Sequence, residues 1–295
     1  MLNTKCAFIA VVGEPNAGKS TLVNKIVGEK ISIVSPKVQT TRRQVRGIVN
    51  LDNSQIVFID TPGFCKSKTP LEKAISTNFK NAYKDADIVL LVIDATSKYK
   101  TASFTFAEKM TRLNIPLIVA INKVDSASKE SILETAKRLN DIKHIENVFM
   151  VSALTDDGLE DLIKTLKDLA PCGPWMYGAE CITDMDLKFR LAEITREKIF
   201  LKLQKELPYS VYIETEFFKE TEKKISVYQA IVVMKESHKG IIIGRNASMI
   251  TEIKRAAISD MMAITNKKIE LKLFVKVKEK WSEKISHLQN AGIID

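Results

Sequence analysis

Apolar residues in the first half of the chain form short runs, separated by longer stretches in which apolar positions recur every three or four residues. The runs lie at residues 7–12, 56–59, 88–93, 117–121 and 148–151. Most of them are continuously apolar, which is typical of parallel strands that are covered on both faces. The amphipathic stretches at 20–27, 70–84, 103–113, 128–140 and 159–169 predict the crossover helices between these strands. The pattern therefore predicts a doubly wound α/β sheet over residues 1–170.

A cluster of turn-forming residues interrupts this pattern. Pro171, Gly173, Pro174 and Gly178 fall close together, and such a density of breakers is incompatible with a helix or a central strand. We therefore expect a linker over residues 171–185 and a second domain over 186–295.

The second half follows a different pattern. A helix is expected over residues 186–207, where Pro208 would end it. Two alternating strands follow, around residues 211–217 and 225–233, and a last alternating strand spans 269–278. Between them, two apolar helical segments flank a glycine-containing loop, and the second of these segments covers 248–264. The order α-β-β-α-α-β predicts a smaller α+β domain with an antiparallel strand pair.

Composition narrows the class of protein. With 295 residues, two domains are expected, and 45% hydrophobic residues exclude a disordered chain. No apolar run approaches the ~18 residues of a transmembrane helix. The four cysteines are far apart and form no C-x-x-C pair, so they indicate neither a disulfide framework nor a zinc site. We expect a soluble cytosolic protein, and the net charge of +9 fits either a solvated surface or a nucleic-acid partner.

The first candidate site is a phosphate-binding loop between the first strand and the first helix. Its pattern is G-x-x-x-x-G-K-S, in which glycines let backbone N–H groups converge on phosphate oxygens at a helix N-terminus. Lys19 is expected to reach the β- and γ-phosphates, and Ser20 is expected to bind Mg²⁺. The predicted nucleotide contacts in this loop are Gly13, Glu14, Pro15, Asn16, Ala17, Gly18, Lys19, Ser20 and Thr21.

A second polar segment ends the strand at 56–59. It consists of Asp60, Thr61, Pro62 and Gly63. The Asp60 carboxylate can hold Mg²⁺ through water, and the Gly63 N–H can meet the γ-phosphate. These positions predict that the segment lies beside the phosphate loop.

Two further segments predict selectivity for guanine. Asn122, Lys123 and Asp125 follow the strand at 117–121, and the Asp125 carboxylate can accept two hydrogen bonds from the N1–H and N2–H₂ edge of guanine. A site with such groups rejects adenine, because its polar atoms would be left unpaired. Ser152 and Ala153 follow the strand at 148–151 and can offer a backbone N–H to guanine O6.

Together these segments resemble the nucleotide motifs of the GTPase superfamily, and they look specifically like the Era family. The resemblance implies that a threonine before the strand at 45–50 contacts Mg²⁺ and the γ-phosphate when GTP is bound. Both Thr40 and Thr41 are available, and Thr41 is favoured. The expected catalytic residues are then Lys19, Thr41, Asp60 and Gly63. The expected metal ligands are Ser20, Thr41 and Asp60. The implied cofactors are GTP, GDP and Mg²⁺.

One position departs from Ras-type enzymes. Phe64 stands where they carry the glutamine that orients the attacking water. The Era family shares a hydrophobic residue here, so a slow intrinsic rate is expected. Asn16 extends the resemblance further, because an asparagine at this point in related GTPases helps to hold K⁺ against the phosphates.

The loop in the second domain resembles that of a type II KH fold, whose G-x-x-G segment clamps single-stranded nucleic acid. Here the segment is Gly244-Arg245-Asn246-Ala247, so alanine replaces the second glycine. RNA binding would survive this change if the backbone at Ala247 needs no positive φ. The predicted RNA contacts are Lys239, Gly244, Arg245, Asn246, Ala247, Lys254 and Arg255.

The resemblance to the Era family implies a partner and a location. It implies binding to the 3′ end of 16S ribosomal RNA and a role in maturation of the 30S subunit. It also implies a cytoplasmic protein that associates loosely, as a peripheral protein, with the inner membrane. The protein is expected to be a monomer. Three alternatives remain open at this level: a nucleotide-gated RNA-binding adaptor with negligible hydrolysis, a P-loop kinase or ATPase, and a DNA-binding regulator.

Overall fold

The computed structural model describes residues 4–35, 37, 40–63, 77, 84, 86–111, 115–204, 206–279 and 281. All elements below are numbered within those residues. Contacts divide them into two compact units, the first containing residues 4–32, 41–63 and 77–184, and the second containing 185–281 with the described residues of 33–40.

A six-stranded sheet organises the first unit. Its strands are β1 (Lys5–Gly13), β2 (Val45–Leu51), β3 (Ser54–Asp60), β4 (Ile88–Asp94), β5 (Leu117–Asn122) and β6 (Ile145–Met150). The strand order is β2-β3-β1-β4-β5-β6, and only β2 runs antiparallel to its neighbour. The described helices are α1 (Lys19–Val27), α2 (Thr101–Met110), α3 (Lys129–Asn140) and α4 (Leu159–Leu169). This is the α/β fold that the apolar runs predicted.

Strand order determines where a ligand can bind. In the sheet, β1 lies between β3 on one side and β4 on the other. The crevice at the carboxyl end of β1 is therefore a topological switch point. The central strands are almost fully buried on both faces, which makes them a rigid support for the loops at that edge.

The edge strand differs from the expectation of burial on both faces. In β6 the side chains of Val148 and Met150 are 37% and 46% exposed. The physical reason is position: β6 has only β5 beside it, so a continuous apolar run here does not indicate a covered strand.

The segment after α4 is bonded to the first unit. Gln55, which is fully buried, accepts hydrogen bonds from the N–H groups of Met176 (2.8 Å) and Tyr177 (2.9 Å) and donates to the Tyr177 carbonyl (2.9 Å). The Ile48 N–H donates to the Ile182 carbonyl at 2.9 Å. Residues 171–184 therefore belong with the first unit by their contacts. The domain boundaries expected from the sequence, 1–170, 171–185 and 186–295, stay predictions.

Within its described residues, the second unit contains a three-stranded sheet and three α-helices. Its elements are α5 (Leu187–Lys202), β7 (Tyr212–Glu220), β8 (Lys224–Val233), α6 (Glu236–Ile243), α7 (Ser248–Thr265) and β9 (Lys268–Val277). The sheet order is β7-β8-β9, with β7 antiparallel and β9 parallel to β8. The core includes Ile231, Ile242, Ile253 and Leu271. The α-β-β-α-α-β order agrees with the sequence pattern.

The predicted helix over 186–207 was too long. It ends at Lys202, Leu203 is extended, and Pro208 lies in a short 3₁₀ turn over Leu207–Ser210. Leu203 and Leu207 are both buried in the core, so their helical spacing reflects burial and does not require a continuous helix.

Two other predicted helices need comment. The stretch at 70–84 lies outside the described residues except for positions 77 and 84, whereas the one at 103–113 corresponds to α2 (Thr101–Met110). In the described part of the chain, no helix has both the length and the apolar character needed to cross a membrane.

Candidate nucleotide and nucleic-acid sites

The phosphate loop connects β1 to α1 with backbone geometry that requires glycine at both ends. Gly13 has φ 151°, and a Cβ there would lie 2.2 Å from the Val92 carbonyl oxygen. Gly18 has φ 93°, and a Cβ there would lie 2.2 Å from Asn122 Nδ2. Because the helix begins at the next residue, Lys19, its N-terminal N–H groups face the concave side of the loop and can bind an anion.

Lys19 is held inside this loop. Its buried ammonium donates to the carbonyls of Gly13 (3.2 Å) and Glu14 (3.0 Å). Burial lowers the pKa of Lys19 to about 8, although Asp60 and Glu14 act in the opposite direction. A buried cation with two neutral acceptors is suited to an arriving phosphate, which would supply the missing negative charge.

Three oxygen-bearing side chains meet beside the loop. Ser20 Oγ donates to Asp60 Oδ2 at 2.7 Å and lies 3.2 Å from Thr41 Oγ1. The other carboxylate oxygen of Asp60 is buried and has no hydrogen-bond partner within the described residues. Burial raises the pKa of Asp60, while Ser20 and Lys19 lower it. A buried carboxylate with an unused oxygen beside two hydroxyls fits Mg²⁺, which prefers hard oxygen ligands and keeps some of its waters.

The segment after β3 lies against the phosphate loop. A Cβ on Gly63 would come within 2.7 Å of the Pro15 nitrogen and 2.9 Å of its Cα, so only glycine allows this approach. Thr61 is fully buried and donates to the Val11 carbonyl at 2.7 Å. The structure therefore brings residues 60–63 next to the loop, whereas the prediction for Phe64 lies outside the described residues.

Asn122 connects three of the predicted motifs. Its Nδ2 donates to the Ala17 carbonyl at 2.9 Å, and its Oδ1 accepts from the Ala153 N–H at 3.0 Å. Both polar atoms of the amide are thus used inside the protein. Asn122 is a brace between the phosphate loop and the loop after β6, and its Oδ1 accepts from the same Ala153 N–H that is predicted to meet guanine O6.

Asp125 is the exposed carboxylate of this loop. It accepts from Ser152 Oγ at 2.6 Å and from Ser126 Oγ at 2.5 Å, and these hydrogen bonds hold the pKa of Asp125 below its ordinary value. The carboxylate therefore stays ionised and oriented. Each oxygen keeps a further lone pair with which it can accept from a base edge.

Two side-chain roles were missed at the level of sequence. Lys123 Nζ lies 2.6 Å from Asp94 Oδ2, at the end of β4. Glu14, predicted only as part of the loop, has its pKa raised by burial, and the Ser103 N–H in the first turn of α2 acts to lower it. The position of Asp94, directly after an apolar run, was the available signal for its pairing with Lys123. No pattern in the sequence indicated the burial of Glu14.

The glycine-containing loop of the second unit has a left-handed backbone. Gly244 has φ 73°, and a Cβ there would lie 2.8 Å from Met249 Cβ. Asn246 and Ala247 follow with φ 50° and 58°. The condition set for Ala247 is therefore not met, because the backbone there does take a positive φ. Arg245, Asn246 and Ala247 are exposed immediately before α7.

The predicted basic neighbours are spread out. Lys239 lies on α6, 3.8 Å from Glu236. Lys254 and Arg255 are exposed on α7, about 9 Å or more along the helix axis from its first residue at ~1.5 Å per residue. The loop itself thus contributes Arg245 and backbone groups, and the other three cations flank it along two helices.

Family models match both units. A model described as a 50S ribosome-binding GTPase matches residues 8–123, and a KH domain model matches residues 206–282.

Curated proteins match along almost the whole chain. A protein named GTPase Era from Mesorhizobium japonicum is 43% identical over 291 residues, which cover 98% of this chain and 94% of that protein. The protein of the same name from Rickettsia conorii is 41% identical over 95% of this chain and 83% of its own length.

Solved structures also match along almost the whole chain. A crystal structure of Era in complex with MgGDPNP and nucleotides 1506–1542 of 16S ribosomal RNA superposes with a TM-score of 0.94 at 31% identity, covering 99% of this chain and 100% of that one. A variant of Aquifex aeolicus Era bound to GDP·AlF₄⁻ gives the same TM-score, identity and coverage.

Proposed function

Because this chain belongs to the Era family of GTPases, we propose that it binds and hydrolyses GTP, binds the 3′ end of 16S ribosomal RNA and assists maturation of the 30S ribosomal subunit. One observation carries the nucleotide half of this function. Asn122 hydrogen-bonds to Ala17 and Ala153, so the phosphate and base loops are preassembled around one crevice at the carboxyl end of the sheet.

Each loop has a separate task in binding GTP. The backbone N–H groups of the loop at residues 13–20, in which Pro15 has none, surround the phosphates, and Lys19 pairs with the β- and γ-phosphate oxygens. Asp125 accepts from the N1–H and N2–H₂ groups of guanine. Ser152 holds the Asp125 carboxylate at 2.6 Å and so fixes the direction of both hydrogen bonds.

Mg²⁺ would be held by Ser20 and Thr41, with Asp60 acting through water. Once bound, the ion neutralises charge on the β- and γ-phosphate oxygens. In this arrangement Asp60 accepts from Ser20 Oγ at 2.7 Å and orients that hydroxyl lone pair towards the ion. Between the two candidate threonines, the position of Thr41 Oγ1, 3.2 Å from Ser20 Oγ, favours Thr41.

Hydrolysis transfers the γ-phosphoryl group to water, and its transition state spreads negative charge over the phosphoryl oxygens. Lys19 and the Gly63 N–H stabilise that charge. Since Phe64 cannot orient a water molecule, the intrinsic rate is slow. Asn16 is positioned by a left-handed backbone, with φ 65°, and we assign it to a K⁺ ion that supplies further positive charge.

The loop at 244–247 is the proposed RNA contact. The N–H groups of Ala247 and Ser248 donate within the loop, to the carbonyls of Gly244 and Arg245, so the side chains of Arg245 and Asn246 are the proposed phosphate contacts. The N-terminus of α7 adds a favourable dipole, and the exposed Arg245 adds charge. These are contacts to the phosphate backbone, so they contribute affinity rather than sequence selectivity.

Co-sedimentation with purified 30S subunits tests the combined function. The chain is expected to pellet with the subunits when GTP or a nonhydrolysable analogue is bound, and less when GDP is bound or nucleotide is removed. Lys19→Ala is the matched variant, because it removes the phosphate contact without altering the second unit. Equal pelleting in all three nucleotide states would refute the switch, and absence of pelleting in every state would refute the ribosomal partner.

The location is inferred from the family. We place the protein in the cytoplasm with peripheral association to the cytoplasmic face of the inner membrane. Cell fractionation with a salt wash tests this, since a peripherally bound fraction is released by high salt. A fraction that resists both salt and carbonate would contradict it.

A further inference from the structure

Asp94 lies at the carboxyl end of β4, beside the guanine-binding loop. In the register of the sheet Asp94 pairs with Asn122, the first residue of that loop. The next residue strengthens the junction, because the Ala95 N–H donates to the Asn122 carbonyl at 2.9 Å. The Asp94 carboxylate is therefore held at a constant distance from the base-binding residues by strand pairing.

The partner of this carboxylate is Lys123. Nζ of Lys123 lies 2.6 Å from Asp94 Oδ2, and the Asp94 side chain is only 16% exposed. Lys123 itself has a left-handed backbone, φ 66°, a conformation that is costly for a residue with a Cβ. A charge-assisted hydrogen bond that is shielded from water can stabilise such a conformation.

Asp94 is itself fixed in place. Its second oxygen, Oδ1, accepts from the N–H of Thr96 at 2.8 Å and from the Thr96 hydroxyl at 2.6 Å. Burial raises the pKa of Asp94, but the hydrogen bonds from Lys123 and Thr96 outweigh it and the pKa is lowered overall. The carboxylate is thus ionised, and one oxygen remains directed at the lysine.

The Lys123 stem lies against the phosphate loop. Its Cε is 4.0 Å from the point that a Cβ on Gly18 would occupy, so the aliphatic chain runs beside this glycine. Asp94, Lys123 and Gly18 therefore follow one another from the end of β4 through the base loop to the phosphate loop.

We propose that Asp94 is a positioning residue for guanine nucleotides: by holding Lys123 Nζ, it keeps the lysine stem against Gly18 and so joins the base loop to the phosphate loop. This inference rests on the proposed function. Asp94 touches no reacting atom, so it governs how long a nucleotide stays bound and leaves the chemical step unchanged.

A double-mutant cycle on nucleotide release tests this directly. The rate at which a fluorescent GDP analogue is displaced by excess GDP is measured for the wild type, Asp94→Ala, Lys123→Ala and the double variant. Asp94→Ala is expected to release GDP about tenfold faster, which corresponds to ~1.4 kcal/mol. The double variant should release it no faster than Lys123→Ala alone, because Asp94 acts through the lysine. Single-turnover hydrolysis by Asp94→Ala at saturating GTP should stay within about twofold of wild type.

Graded and control variants keep the test independent of folding. Asp94→Asn retains an acceptor for Thr96 but loses the charge facing Lys123, and it should give an intermediate release rate. Asp52→Asn removes a carboxylate that pairs with Lys167 in the same unit and should behave as wild type. Multiplicative effects of Asp94→Ala and Lys123→Ala, or a wild-type release rate in both Asp94 variants, would overturn the proposal. Failure of the wild type to bind the analogue would instead refute the proposed function.

Discussion

Replacing Ala247 with glycine should stabilise the second unit, although glycine substitutions usually destabilise proteins. Ala247 has φ 58° and ψ 24° at the start of α7. A left-handed conformation costs a residue with a Cβ about 1–2 kcal/mol, and glycine avoids that cost. Against this, glycine makes the unfolded chain more flexible, which costs about 0.4–1 kcal/mol. The balance is a gain of about 1 kcal/mol in the free energy of unfolding.

Urea unfolding of the second unit can be followed through one tryptophan. The chain contains only two, and Trp281 is fully buried against Tyr212, with ring centroids 4.7 Å apart. Trp175 lies in the first unit, so a Trp175→Phe background leaves Trp281 fluorescence as the reporter. With a urea slope of about 1–3 kcal/mol per molar, Ala247→Gly should raise the midpoint by about half a molar.

Ala256→Gly is the matched control for this change. Ala256 lies within α7, where the same substitution should cost about 1 kcal/mol of stability and lower the midpoint. Opposite shifts in the two variants would support the account of backbone strain. A midpoint for Ala247→Gly that is unchanged or lowered would refute it. RNA affinity in Ala247→Gly should be maintained or improved, because the loop conformation is the one that glycine prefers.

Three further predictions concern the two binding sites. Asp125→Asn should shift preference from GTP towards xanthosine triphosphate, measured by competition, since an amide presents a donor to the donors of guanine; unchanged GTP selectivity would exclude Asp125 as the base contact. Lys19→Ala should abolish Mg²⁺-dependent GTP hydrolysis in a phosphate-release assay, and substantial remaining turnover would refute its assignment. Arg245→Asp and Asn246→Asp should each weaken binding of a single-stranded oligonucleotide of the 16S 3′ end in gel-shift titrations without changing GTP affinity, and unaltered RNA affinity in both would place the RNA elsewhere.

The apolar pattern was sufficient to predict the fold because most strands are short and buried on both faces. The family expectation of a GTPase unit followed by a KH domain is confirmed by the two family models and by the structural match. The nucleotide motifs could be read from the sequence because each follows a predicted strand, and the parallel sheet brings the ends of those strands together.

Features that depend on contacts between distant residues could not be predicted in this way. The end of α5 at Lys202 could not be read from the spacing of Leu203 and Leu207, because both are buried although Leu203 is extended. The pairing of Asp94 with Lys123 depends on the register of β4 with β5. The G-x-x-G pattern raised the possibility of a positive φ at Ala247, but only the backbone of the loop, with φ 58° there, decides it.

The bonds of Gln55 determine where the first unit can be cut. A fragment that stopped at residue 170 would remove the three hydrogen bonds that this amide makes with Met176 and Tyr177 and keep the one to Asn50. It would also leave the Ile48 N–H at β2 without its carbonyl partner. An unpaired buried polar group costs about 1–3 kcal/mol, so such a fragment would be a poor starting point for studying nucleotide binding in isolation. A fragment that ends after Asp184 would keep all of these hydrogen bonds.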